Sequence, residues 1–134
     1  MKIEIKHLAP YLPYKLMAYT MFDRTPLFRE IVPSNIMAFV DGDTEAKPIL
    51  RPLSDLTKEI DVDGEKFVPM ERIPREIGIE WCDLYSESMD CLENHPDKVL
   101  MMPYEIFQVL LKLHFDVFGL IPAGLAVDIN EVQS

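Results

Sequence analysis

The chain has 134 residues, 49% of them hydrophobic and 27% charged, and a net charge of −10. That length suits one domain, spanning residues 1–134, with a core of its own, and the composition is that of a globular protein and not of a disordered one. So large an acidic excess argues against direct nucleic-acid binding through clustered Lys and Arg, and against attachment to an anionic membrane surface.

The first residues alternate charge with isoleucine, so residues 2–6 read as a strand and lack the unbroken apolar run of a signal peptide. No later stretch approaches a membrane span, and cytoplasmic residence is expected. Residues 14–22, 28–32 and 36–40 are short aromatic, β-branched or aliphatic runs separated by turn-forming clusters at 23–26, 33–35 and 41–43, the pattern of an antiparallel meander. Pro48 and Pro52 bracket a short extended piece, after which Ser54 is placed to cap a turn or two of helix. Residues 60–62 and 65–68 flank Asp63-Gly64, a dipeptide suited to a two-residue hairpin turn because both central positions need positive φ. Pro69 and Pro74 close the strand-rich half.

From about Ile79 the period becomes helical. Trp81, Leu84, Tyr85, Met89 and Leu92 share one face, and Glu76, Glu80, Asp83, Glu87, Asp90, Glu93 and Asp97 follow at steps of three or four on the other. No Lys or Arg lies between Arg75 and Lys98, and residues 68–134 carry 12 acids against 4 bases, where residues 1–67 carry 11 against 9. After the break at Asn94, His95 and Pro96, residues 103–118 form the most apolar helix. Its polar residues Glu105, Gln108, Lys112, Asp116 and Gly119 fall within an arc of roughly 80°. The spacing predicts that Phe107, Leu110, Leu111, His114 and Phe118 are buried, with Gly119 and Pro122 as the stop signals. Residues 125–129 add a last short strand. Together these elements predict an α+β fold: a small antiparallel meander packed on two main C-terminal helices, the last one central.

Chemical signals are sparse. His114 sits opposite the polar stripe, where burial would hold an imidazole neutral, the form wanted of a metal ligand or general base and equally of a core histidine bonded to a carbonyl. It is the one candidate catalytic residue. Asp41, Asp43 and Glu45, like Asp61, Asp63 and Glu65, alternate as carboxylates can around a hard cation, yet neither stretch has the glycine and glutamate of an EF-hand. Cys82, Cys91 and His95, with His114, lack the close pairing of zinc ligands, and the two cysteines read as buried free thiols. The five glycines are too dispersed for a phosphate or dinucleotide loop. No metal or cofactor site is expected, and enzymatic function is the lesser hypothesis.

The acidic row is the candidate partner surface. Like carboxylates one turn apart repel by a few tenths of a kcal/mol per pair, and their spacing of about 5 Å could imitate a row of phosphates.

Four blocks, HLAPYLPY at 7–14, KPILRPLSDLTKEI with DVDGEKFVP at 47–69, PYEIFQVLLKLHFDVFGL at 103–120 and GLAVDIN at 124–130, resemble a family of short uncharacterised proteins encoded in phage and prophage regions of Bacteroidales-type gut bacteria. The resemblance implies an accessory protein working in a bacterial cytoplasm. It brings no activity, cofactor or site residue with it. The expected function is therefore non-enzymatic, through protein–protein contact with a host or phage protein, with self-association a further expectation. The alternatives are a small metal-dependent hydrolase or nuclease using His114 with nearby carboxylates, and an acidic DNA mimic.

Overall fold

The computed structural model describes residues 2–42, 44–78 and 83–132. Its fold is α+β, with antiparallel strands in the N-terminal half and the longer helices in the C-terminal half.

Helix α1 (Ile5–Leu8) runs into a 3-10 turn over Ala9–Tyr14. Residues 2–6 therefore do not form the strand that their alternation suggests. Glu4 and His7 form a reciprocal capping box, the Glu4 backbone N–H donating to His7 Nδ1 at 3.0 Å, and local capping outweighs a two-residue period. Strands β1 (Met17–Phe22) and β2 (Thr25–Glu30) form a hairpin in which Phe22 pairs with Thr25 and Met17 with Glu30. Asp23 and Arg24 both have positive φ, 49° and 65°, which defines a type I′ turn. The chain then forms α2 (Ile36–Val40), a helix where a strand was expected. Asn35 decides this: its Oδ1 accepts from Val32 N–H at 2.9 Å and winds the turn, so that Ile36 and Phe39 share the buried side.

Strand β3 (Lys47–Leu50) pairs with β1, and a second hairpin, β4 (Ile60–Val62) and β5 (Glu65–Phe67), turns at Asp63-Gly64 as the sequence predicts. Between them Leu53–Thr57 is a 3-10 turn without a side-chain cap from Ser54.

Three helices follow: α3 (Pro69–Ile77), α4 (Asp83–Asn94) and α5 (Tyr104–Lys112), with a 3-10 turn over Pro96–Met101 between the last two. The prolines at 69 and 74 follow the last strand of the N-terminal half, as expected, and they also open α3 and sit within it. Pro69 occupies the first helical turn, where a missing N–H has no cost.

Helix α5 ends at Lys112, well short of Phe118. His114 adopts φ 64°, its N–H bonds to the Leu111 carbonyl, and Phe115 N–H reaches back to Leu110. This is a Schellman cap with histidine at the position where glycine is usual. The chain then runs beside β3 as a parallel bridge between Arg51 and Phe115, turns, and forms β6 (Val127–Asp128) and α6 (Ile129–Val132). The main sheet has the order β2-β1-β3-β6, antiparallel except for the β3–β6 pair.

The core lies between this sheet, the α1 segment and α5, with Leu8, Tyr11, Leu50, Leu110 and Phe115 fully buried. Phe107 and Phe118 are only half-buried, and they meet edge-on at 6.4 Å. Asp116, placed on the solvent stripe by helical spacing, is buried, because the helix that would have exposed it has already ended.

Candidate functional site

His114 is where the sequence puts the chemistry, and its surroundings define what it does. Its ring is half-buried, and its Nε2–H donates to the Tyr14 carbonyl. A carbonyl only accepts, so the ε tautomer is fixed. Burial first, and then the nearby Arg51 charge, hold its pKa below the ordinary histidine value. The imidazole is therefore neutral and bonded at Nε2, and its backbone carbonyl accepts from Arg51 N–H at 2.8 Å. On its open side Met17, Phe28, Ile49, Ile129 and Val132 complete a cleft of about 280 Å³ with no carboxylate in it.

Around this point three polar groups anchor the irregular segment after α5. Tyr11 donates its hydroxyl proton to the Phe115 carbonyl and accepts from Val117 N–H at 3.3 Å. Asp116 accepts from Leu120 N–H at 2.7 Å and Ile121 N–H at 2.8 Å, the bonds of a capping residue. Desolvation raises the Asp116 pKa against those bonds. Arg51 is buried, its Nε without a hydrogen-bond partner among the described residues, and desolvation lowers its pKa while Asp55 and Asp128 oppose the shift. Asp55 in turn accepts from Asn130 Nδ2 at 2.8 Å and lies 3.7 Å from Lys58. These groups join the chain's halves. None converges on a space where a substrate atom could sit.

The acidic residues are distributed over three elements. Glu76 belongs to α3, where it meets Arg72 at 3.2 Å and Lys112 of α5 at 3.4 Å. Glu87, Asp90 and Glu93 are exposed on α4, with Asp83 in its first turn, and Asp97 lies in the following 3-10 turn. Glu80 lies outside the described residues, as do Asp43, Trp81 and Cys82. Cys91 is a half-buried free thiol and His95 is exposed. Among the described residues no three His, Cys, Asp or Glu side chains gather as ligands for a metal ion. No described helix is long and apolar enough to cross a membrane.

The feature that sequence reading does not single out is the β1–β2 hairpin. Every residue of β2 is exposed, and Met21, Phe22, Leu27 and Phe28 are 56%, 68%, 45% and 52% exposed. Tyr19 packs against Phe28 across the pair, ring centroids 5.5 Å apart. Met21 and Phe28 project from one face of the hairpin and Phe22 and Leu27 from the other, and alternation alone does not say that either face is bare. Only the strand order, which puts β2 at the sheet border, reveals them as surface.

No family model matches the chain, and neither a curated protein nor a solved structure does.

Proposed function

We propose that this chain is a non-enzymatic binding protein, of the phage or prophage accessory type that its sequence resembles, acting in a bacterial cytoplasm through the β1–β2 hairpin. The carrying observation is the hairpin's exposed Met21, Phe22, Leu27 and Phe28. A fully exposed large side chain offers about 200 Å², so these four leave roughly 400 Å² of apolar surface in water, shared between the hairpin's two faces, Met21 with Phe28 on one and Phe22 with Leu27 on the other. Further support comes from the polar groups. His114 Nε2, Tyr11 and Asp116 each hold backbone atoms, and the cleft beside His114 brings no carboxylate to it.

The test is comparative capture from a bacterial lysate with the wild-type chain and with a Met21→Ser/Phe22→Ser variant. Both substitutions lie at the exposed hairpin tip and leave the core untouched. Proteins retained by the wild type and lost from the variant support the reading. The same retained set for both would remove the hairpin from it.

A further inference from the structure

We propose that a second copy of this chain pairs along β2, antiparallel and centred on Phe28, to make one sheet continuous across a two-fold axis. This rests on the hairpin being a binding surface and names its occupant.

The backbone of β2 carries the argument. In a hairpin with a two-residue turn the pair flanking the turn is hydrogen-bonded, and bonded pairs then alternate. The same parity is seen at the base, where Ile31 N–H donates to the Leu16 carbonyl at 2.8 Å. Residues 25, 27 and 29 therefore bond to β1, and residues 26, 28 and 30 turn their polar groups outward. Pro26 has no N–H to offer. The Glu30 carbonyl is taken by Asn35 Nδ2 at 2.9 Å, and the next outward donor, Val32 N–H, by Asn35 Oδ1. What the border leaves unpaired among the described residues is the Pro26 carbonyl, both groups of Phe28, and Glu30 N–H.

Two donors and two acceptors in this order are self-complementary. With Phe28 opposite Phe28 of the other copy, the two residues exchange both bonds, and Glu30 N–H of each copy meets the Pro26 carbonyl of the other. All four groups are used and no donor is left facing another. The one acceptor that would face the proline, the Glu30 carbonyl, is the one Asn35 has already satisfied. Shifted one way, pairing sets Pro26 against the free Phe28 carbonyl; shifted the other, it offers Phe28 N–H only the Glu30 carbonyl that Asn35 already occupies and the Pro26 carbonyl only the Val32 N–H that Asn35 already holds.

Charge selects the same surface. Residues 17–30 carry Asp23, Arg24, Arg29 and Glu30 and are neutral, in a chain of net charge −10. Two such chains repel at long range, and the hairpin is where they can approach. Pairing covers Leu27 and Phe28 directly and brings each tip, with Met21 and Phe22, beside the base of the other hairpin. Edge pairing covers only part of the roughly 800 Å² of apolar side chain on the two copies, less than a standard specific interface buries, so a weak dimer with a dissociation constant at the upper end of the micromolar range is expected. Added salt should tighten the dimer, because at about 0.1 M ions screen repulsion beyond roughly 10 Å.

The experiment is sedimentation equilibrium from about 1 to 200 µM, a range that brackets micromolar affinity, joined to oxidative cross-linking of Phe28→Cys and Thr25→Cys variants. Opposed bonded residues have Cα atoms about 5.5 Å apart, within disulfide reach. In this register Thr25 faces Ile31 of the other copy, which leaves the two Thr25 positions about 20 Å apart. The expected result is a dimer linked at position 28 on both copies, shown by peptide mapping, with no link at position 25. Phe28→Pro should weaken it at least tenfold, with a lower melting temperature from the lost Tyr19 contact but a folded monomer. If that variant unfolds, Leu27→Lys, which sets a positive charge opposite Arg29 of the other copy, should weaken it instead. A monomer throughout, or a dimer that links at 25 or ignores both substitutions, overturns the proposal. A monomer whose hairpin tip still decides lysate capture overturns the dimer alone. A dimer whose tip variant captures the same set overturns only the wider binding role.

Discussion

Changing Tyr11 to Phe removes one oxygen from a fully buried side chain and leaves its volume almost intact. That oxygen is the only side-chain tie between the 3-10 turn at Ala9–Tyr14 and the Phe115 and Val117 backbone among the described residues. The loss is limited, because Val117 N–H also bonds to the Phe115 carbonyl at 2.9 Å, so neither group is wholly orphaned. Two net hydrogen bonds at about 0.5 to 1.5 kcal/mol each, without the full penalty of an unpaired buried group, give a cost of roughly 1 to 3 kcal/mol. For a chain of this size that lowers the melting temperature by roughly 3 to 12 °C. There is also a pH signature. Burial raises the Tyr11 pKa above its ordinary 10.0, so its contribution is intact below that pH and is lost as pH rises beyond it. The Phe variant should melt lower at neutral pH and lose less stability above pH 10.0 than the wild type does. Thermal melts monitored by circular dichroism at neutral and alkaline pH measure both. A variant that melts with the wild type and keeps its alkaline slope would refute the tie.

His114 has a folded pKa below the ordinary 6.5, so its stabilising share is present above that pH and falls away on acidification. His114→Asn, which tolerates positive φ, should flatten the decline in urea midpoint below pH 6.5, and an unchanged decline would count against it. Asp116→Ala should cost about 1 to 3 kcal/mol in urea unfolding, because two backbone N–H groups lose their acceptor. Leu110→Ala should cost about 2 to 5 kcal/mol by the same assay. Arg24→Gly should raise stability by up to about 1 kcal/mol, since glycine holds positive φ without a Cβ penalty.

The sequence made legible whatever is local and repeated. Asp63-Gly64 announces its turn, and the apolar run beginning at Tyr104 announces α5. What escaped depends on one side chain acting on backbone at close range. Asn35 winds a helix from β-prone residues, and Glu4 with His7 does so at the start. His114 ends α5 with no glycine to signal it, so periodicity carried the helix two turns too far and turned Asp116 outward. The core positions Leu110 and Leu111 were readable, since they lie before that stop. The hairpin's exposure was not, because alternation marks a face and cannot say whether anything covers it. Strand order comes from contacts distant in sequence. The bare belt expected on the last helix is covered at Ile106, Leu110 and Leu111, so the pairing proposed on β2 rests on a different surface.

The two borders of the main sheet are unlike. On one side β2 runs six residues in the open; on the other β6 pairs for two residues and bends at once into α6. Under the proposed pairing, a molecule with one sticky flank and one blunt flank stops growing when two have met. Removing residues 127–132 would bare β3 as well, giving each molecule two sticky flanks, and a finite pair would become the repeating unit of a filament.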